Sequence, residues 1–119
     1  MFLIDFVSLG DNVMLDKKLT QVFCNPKSVI VGFSFNHDID MFVRKFPKMK
    51  FYRFIKNFID AQTYYARVFL TTPEIGLAKV AERVLGTAIC KREQMSNWER
   101  RPLRLSQQHY AAMDAYVLV

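Results

Sequence analysis

Two residues near the end of the chain have types and a spacing that suit hydrolytic chemistry. Tyr110 and Asp114 lie in a stretch, residues 106–119, that is rich in Ala and free of Gly and Pro, which predicts a helix with Ser106 as its N-cap. Their spacing is about one helical turn, so the phenol and the carboxylate share one face. A carboxylate can hold a divalent cation, and a phenol can position water for metal-assisted hydrolysis. Taken alone, the pair better fits a partly exposed helix without a site, with one solvated Asp and one amphipathic Tyr.

A further carboxylate, Asp38, lies where a predicted strand is followed by a predicted helix. Residues 28–35 form a nearly continuous, β-branched apolar run that is typical of a strand buried on both faces, and Gly32 within it allows close approach of another backbone. The helix that follows is capped by Asn36 or Asp38 and ends at Pro47. Ligands of open α/β sheets bind at the carboxyl ends of strands. Asp38 is therefore either a ligand or only a helix cap, and the two roles are compatible.

The remaining apolar pattern predicts alternating strands and helices. Further strands are predicted at 2–9 and 54–59, and further helices at 13–23, 61–69 and 73–85. The last of these begins at Thr72-Pro73, carries Gly76 in its interior and ends at Gly86. This order predicts an α/β domain with a mixed sheet flanked by helices.

The charge of the chain is compatible with an anionic partner. Lys and Arg number 17 against 11 Asp and Glu, which gives a net charge of +6. A basic turn around Pro47, with Lys45, Lys48, Lys50 and Arg53, is interleaved with aromatic residues. Such a turn either contacts nucleic acid through phosphates and bases or is a solvated connection, and the charge alone does not separate these readings.

Composition also bounds the class of protein. The 119 residues, 51% of them hydrophobic, are enough for one folded domain with a modest core. Cys24 and Cys90 match no metal-ligand spacing and are expected to be reduced thiols. The sequence has neither a signal peptide nor an apolar run of the roughly 20 residues that span a bilayer. We expect an intracellular protein, cytoplasmic or nuclear, without a membrane partner.

An irregular stretch, residues 87–105, separates the last two predicted helices. It is dense in basic and polar residues and contains Trp98. A loop of this length in a small domain is usually functional or tightly packed. Its Lys and Arg side chains are candidates for phosphate contacts, whereas Trp98 either stacks on a ligand or, as we favour, packs into the structure.

Three stretches together resemble the DEDD-type 3′-5′ exonucleases with Tyr in the third motif, the family of ribonuclease D, the Werner exonuclease domain and the Nibbler-like enzymes. Residues 29–42 are similar to the second exonuclease motif, with Asp38 rather than Asp40 in the ligand register. Residues 85–103 resemble the segment before the last helix, and residues 110–114 resemble the third motif. The resemblance implies a ribonuclease H-like fold and a 3′-5′ exonuclease that hydrolyses nucleic acid.

The resemblance also implies the site and its cofactors. Members of the family bind two divalent ions, Mg²⁺ or Mn²⁺, through four carboxylates. By match, Asp38 and Asp114 are the metal ligands and Tyr110 is the catalytic residue that orients the attacking water. The expected partner is single-stranded nucleic acid, with RNA favoured over DNA. From charge we add Lys91, Arg92 and Arg101 as candidates for contact with the nucleic-acid backbone.

The sequence departs from the family in its first motif, Asp-x-Glu, which supplies the other two carboxylates. The nearest candidate is Asp5, and Val7 stands where the Glu is required. We therefore expect residues 1–119 to be a partial exonuclease domain that lacks the opening strands and the C-terminal end, and to act within a longer protein. The alternative is a catalytically dead nucleic-acid-binding module of the same fold, and a structural interaction domain without a nucleic-acid role is a third possibility.

Overall fold

The computed structural model describes residues 2–119 as a succession of short helices around a small sheet. In chain order the elements are α1 (Phe6–Leu9), α2 (Val13–Phe23), β1 (Ile30–Gly32), α3 (Phe35–Lys45), a 3-10 helix (Phe51–Phe54), β2 (Phe58–Asp60), α4 (Ala61–Val68), α5 (Leu77–Leu85) and α6 (Leu105–Tyr116). Among the residues described, no helix combines the length and the apolar character needed to cross a membrane.

The sheet consists, within the described residues, of two parallel strands. Ile30 pairs with Phe58 and Gly32 pairs with Asp60. The crossover between β1 and β2 contains α3, as expected of a parallel α/β unit. Both strands are shorter than predicted, because only three residues of each pair with the other strand. In place of the strand predicted at 54–59, Phe54 ends the 3-10 helix and β2 covers Phe58–Asp60. The α/β class is confirmed, while the described part of the sheet contains no antiparallel strand.

The strand predicted at residues 2–9 is wrong. Residues 6–9 form α1, and Asp5 caps it by accepting hydrogen bonds from the amides of Val7 and Ser8 at 3.1 and 3.4 Å. Gly10, with a φ of +54°, ends the helix. A short apolar run has no period that separates a strand from a buried helix turn, so the local cap decides.

The helices follow the predicted pattern but differ at their starts. The predictions for α2 and for the end of α5 at Gly86 are confirmed, and Gly86 has a left-handed backbone with a φ of +67°. However, α5 begins at Leu77, so Gly76 precedes the helix and the Thr72-Pro73 start is wrong. Likewise α6 begins at Leu105, so Ser106 is not its N-cap. At α6 the side chain of Gln107, in the first turn of the helix itself, accepts a hydrogen bond from the Arg104 amide and sets the boundary.

An aromatic core joins α1, α2, α3 and the 3-10 helix. Leu19, Met49 and Phe51 are its buried centre, and six partly buried residues pack around them: Phe6, Leu15, Phe23, Phe42, Phe46 and Tyr52. Edge-on ring contacts are frequent, as between Phe6 and Phe42, whose centroids are 4.7 Å apart. Five of the 11 Phe residues of the sequence thus lie in this core, which holds α3 in place.

Gly32 leaves no room for a side chain, and we predict that Gly32→Ala destabilises the fold. A Cβ atom there would lie 3.0 Å from the ring of Phe58 and 3.1 Å from Phe35, so aromatic side chains, not the backbone expected from the sequence, crowd the position. We expect a loss of roughly 1–3 kcal/mol in the free energy of unfolding, measured by urea denaturation. Gly76→Ala is the matched control, because nothing lies within 4 Å of that site. Equal losses in the two variants would contradict the crowding argument.

Candidate active site

Helix α6 brings Tyr110 and Asp114 together, as the sequence predicts. Both side chains are partly buried. Burial, followed by the charge of Asp114 and a hydrogen bond to it, raises the pKa of the Tyr110 phenol. Burial also raises the pKa of the Asp114 carboxyl, and the hydrogen bond from Tyr110 opposes that rise. The phenol therefore stays protonated at neutral pH, beside a carboxyl group that takes part in none of the ion pairs found among residues 2–119.

Trp98, in the segment between α5 and α6, supports Tyr110. The two ring centroids are 6.0 Å apart with a tilt of 49° between the planes. The indole Nε1 donates to the carbonyl oxygens of Glu93 and Gln94 at 3.1 and 3.4 Å. Because its polar atom is bonded within its own segment, Trp98 acts as a packing residue that fixes the ring of Tyr110, which agrees with the role favoured from the sequence.

Gln107 anchors the same segment to α6 and was not singled out from the sequence. It is the buried polar residue of the described chain, with 1% of its surface exposed. Its Nε2 donates to Ser96 Oγ and to the carbonyl oxygen of Asn97, both at 3.0 Å, and its Oε1 accepts from the amide of Arg104 at 3.0 Å. The last contact caps α6 in place of Ser106. A Gln three residues after a helix start was the available signal.

Glu93 forms a second link between the segment and α6. Its carboxylate pairs with the guanidinium of Arg104 at 2.6 Å. The hydroxyl of Ser106, more than the charge of Arg104, lowers the pKa of Glu93. These contacts connect the segment to the start of α6, one turn before Tyr110.

Asp38 lies in the first turn of α3, just beyond the carboxyl end of β1, and its side chain is exposed. The turn that precedes Asp38 depends on Asp60, a residue that was not singled out from the sequence. Asp60 Oδ1 accepts from the amide of Ser34 at 3.2 Å and from the amides of Gln62 and Thr63 in α4. Ser34 has a left-handed backbone with a φ of +53°. Asp60 therefore fixes the turn that precedes Asp38. Its position at the end of a predicted strand is the sequence feature that could have identified it.

The structure does not assemble a complete metal site from the described residues. Within residues 2–119, no group of three or more His, Cys, Asp or Glu side chains is placed to hold a metal ion. Asp38 borders a small apolar pocket of about 230 Å³, whereas Tyr110 borders a larger cavity. Asp38 and Asp114 have the oxygen chemistry that Mg²⁺ and Mn²⁺ prefer. As a donor set they are incomplete for two ions.

The three cations proposed for the nucleic-acid backbone occupy different settings. Arg92 borders the larger cavity, of about 1030 Å³, whose wall includes Tyr110 and His109. Lys91 is exposed. Arg101 instead forms a two-pronged ion pair with Asp5, and it also donates to the carbonyl oxygen of Trp98 at 2.8 Å. The structure thus brings only Arg92 to the cavity beside Tyr110, and the charge of Arg101 is already compensated.

The pair of Asp5 and Arg101 predicts a pH-dependent contribution to stability. The Arg101 guanidinium, followed by the Ser8 hydroxyl, lowers the pKa of Asp5 well below its usual value. Because the folded pKa is depressed, the stabilisation is fully present above the unfolded value of 3.8 and declines as the pH falls from there through the folded pKa. We expect Asp5→Asn to lower the melting temperature at pH 7, with a gap to the parent chain that narrows steadily below pH 4.

The control for this prediction is Asp40→Asn, since Asp40 is exposed and takes no part in the ion pairs found among residues 2–119. Thermal melts followed by circular dichroism between pH 7 and pH 2.5 measure both gaps. A gap for Asp5→Asn that stays constant with pH would contradict the ion pair.

Comparisons with known proteins agree with the resemblance seen in the sequence. A family model described as 3′-5′ exonuclease matches residues 1–119. Exonuclease mut-7 of Caenorhabditis elegans is 33% identical over 133 residues, covering 99% of this chain, and ribonuclease D of Haemophilus influenzae is 32% identical over 98 residues, covering 82%. The crystal structure of the Aedes aegypti Nibbler EXO domain superposes with a TM-score of 0.74 at 26% identity.

These matches cover only part of each relative. The chain spans 14% of the C. elegans protein and 23% of ribonuclease D. The superposition on the Nibbler EXO domain covers 87% of this chain and 53% of the Nibbler chain. The structural likeness confirms the ribonuclease H-like α/β fold. The family model matches residues 1–119, and α6 carries the Tyr110–Asp114 pair. The chain therefore belongs to the 3′-5′ exonuclease family.

Proposed function

We propose that this chain acts in the 3′-5′ exonucleolytic hydrolysis of nucleic acid, with RNA favoured over DNA. The observation that carries the proposal is the Tyr110–Asp114 pair, positioned on α6 by Trp98 and Gln107 in a chain of this family. RNA is favoured because a relative that aligns over 82% of the chain is a ribonuclease D.

In this proposal Asp38 and Asp114 hold Mg²⁺ or Mn²⁺ together with further carboxylates that the described residues do not supply. Hard oxygen ligands suit these hard cations. Bound divalent ions would supply positive charge at the scissile phosphate, which is how metal ions assist such hydrolysis. Burial raises the pKa of Asp114, and a bound cation would favour the charged form of this carboxyl.

Tyr110 orients the attacking water in the proposed site. Its raised pKa keeps the phenol protonated, so the hydroxyl donates one hydrogen bond and accepts others. Trp98 limits the movement of its ring. A water held by the phenol is thereby confined to one side of Asp114, which favours a single direction of attack. Arg92, at the rim of the same cavity, is suited to contact a phosphate of the substrate, with exposed Lys91 beside it in the sequence.

The direction of cleavage is the test of this function. The 119-residue chain and the longest open reading frame that contains it are incubated with Mn²⁺ and a 20-nucleotide single-stranded RNA, labelled at either end. We expect early release of labelled mononucleotides from the 3′-labelled strand and a descending ladder from the 5′-labelled strand. A DNA strand of the same sequence should be shortened more slowly. Internal cuts, release from the 5′ end, or no release from either protein would contradict the proposal.

A further inference from the structure

A cluster of exposed cations lies outside α6, in residues 44–56, which we call the basic segment. It contains six cations and no acid, and all six side chains are exposed: Arg44, Lys45, Lys48, Lys50, Arg53 and Lys56. The nearest acids in the sequence are Asp40 and Asp60, on either side. The segment runs from the last turn of α3 through the 3-10 helix toward β2.

The basic segment accounts for the whole net charge of the chain. The chain has 17 Lys and Arg against 11 Asp and Glu. Without the six cations of the segment, the remaining residues carry 11 of each sign and are formally neutral. The segment is therefore a stretch of concentrated positive charge with exposed side chains, which is expected of a surface that meets a polyanion.

Packing within the protein leaves most of this charge uncompensated. The ion pairs found among residues 2–119 use Arg101 and Arg104, neither of which belongs to the segment. Arg44 and Lys45 lie in the last turn of α3, where the helix dipole favours cations. Asp16 faces the segment from α2, but its Oδ1 accepts from the backbone amides of Lys50 and Phe51 at 2.8 and 2.9 Å. Four cations follow the end of α3 without an acidic side-chain partner.

The core fixes the backbone that carries these cations. Met49 and Phe51 are buried, and the rings of Phe46 and Tyr52 pack around them, so most aromatics of the turn serve the core and not a ligand. Phe54 is the exception, with half of its surface exposed next to Arg53. The guanidinium of Arg53 lies 5.8 Å from the centroid of the Tyr52 ring. A backbone fixed by the core thus presents exposed cations together with one exposed aromatic ring.

We propose that the basic segment binds the phosphate backbone of single-stranded nucleic acid, with Phe54 available for stacking on a base. Spread, exposed cations fit an extended polyanion, whereas a small anion needs convergent and buried donors. Asp38 and Lys45 are seven residues apart on α3, or roughly 10 Å, so one strand can pass both. Binding here requires neither a metal ion nor Asp114, and it is therefore separate from the proposed cleavage.

The test is binding of a fluorescein-labelled 20-nucleotide oligouridine to the 119-residue chain, in EDTA so that no cleavage occurs. The variant Lys48→Gln, Lys50→Gln, Arg53→Gln is compared with the control Lys27→Gln, Arg67→Gln, Lys79→Gln. Both remove two Lys and one Arg from exposed positions, so the change in net charge is equal. We expect the first variant to bind about tenfold more weakly, with a salt dependence of log K reduced by about 2, since each lost contact contributes about 0.7. The control should stay within about twofold of the parent.

Several outcomes would overturn the inference. One is an equal loss of affinity in the two variants, which would show that only net charge matters. Others are the absence of RNA binding at 50 mM salt, and binding to phosphatidylserine vesicles in place of RNA. Circular dichroism checks that both variants are folded. Should the triple variant unfold, Lys48→Gln, Lys56→Gln changes two residues outside helices and strands and keeps the test in force. RNA binding without hydrolysis would leave this inference standing and overturn the proposed function.

Discussion

Asp114→Asn should reduce release of 3′-terminal nucleotides by roughly a thousandfold. The substitution keeps the shape of the side chain and removes the charge that would hold a divalent cation. Metal ions supply several kcal/mol of transition-state stabilisation, and about 4 kcal/mol corresponds to that factor. Tyr110→Phe removes only the hydroxyl, and a loss of about a hundredfold is expected for a group that positions the attacking water. Initial rates on 3′-labelled RNA with saturating Mn²⁺ measure both effects.

Three controls make this result specific. Asp40→Asn changes another carboxylate of α3, and Tyr64→Phe changes an exposed tyrosine of α4. Both should retain at least about half of the parent rate, because neither residue borders the α6 site. RNA affinity in EDTA should be unchanged in Asp114→Asn. Full activity in Asp114→Asn would refute the assignment of this residue, and lost RNA binding in that variant would point to a folding defect.

Gln107→Leu should produce the largest loss of stability among the substitutions considered, roughly 2–4 kcal/mol. Leucine fits a similar volume but leaves the Arg104 amide, the Ser96 hydroxyl and the Asn97 carbonyl without their partner. An unsatisfied buried polar group costs about 1–3 kcal/mol. Ser96 and its neighbours are close enough to solvent to recover part of this loss through water. Equilibrium unfolding in urea measures the change.

Gln108→Leu is the matched control, since it places the same substitution on the next residue of α6. Gln108 is exposed, and its single hydrogen bond goes to the carbonyl oxygen of Leu103. A loss of about 0.5 kcal/mol is expected there. Gln107→Leu should also lower the exonuclease rate, because it detaches the segment that packs Trp98 against Tyr110. Equal unfolding midpoints for the two variants would contradict the anchoring role of Gln107.

Local sequence was sufficient for elements whose signals lie within the element. Helix α2, the end of α5 at Gly86 and the helical pairing of Tyr110 with Asp114 follow from periodicity, a left-handed glycine and residue spacing. The strand predicted at residues 2–9 fails, because an apolar run does not specify strand over helix and Asp5 supplies a helix cap. The prediction that Ser106 caps α6 is also wrong, because the side chain of Gln107 accepts a hydrogen bond from the Arg104 amide and the helix begins at Leu105.

The site shows the same division. Spacing singled out Tyr110 and Asp114, the position after a predicted strand singled out Asp38, and the resemblance to the family suggested their roles. The sequence did not identify Gln107 or Asp60, whose partners are ten to 26 residues away in the chain. Nor did it show that Arg101 is paired with Asp5, 96 residues distant, which removes Arg101 from the free cations.

The sequence by itself determined the family, the α/β class, the Tyr110–Asp114 pair and the concentration of positive charge in residues 44–56. These features depend on residue types and on short spacings, which are properties of the sequence and do not depend on tertiary packing. Only the tertiary structure decided which charges are free and which side chains support Tyr110. Ion pairs and buried hydrogen bonds depend on distances between segments far apart in the chain, and these distances are set by packing of the whole domain.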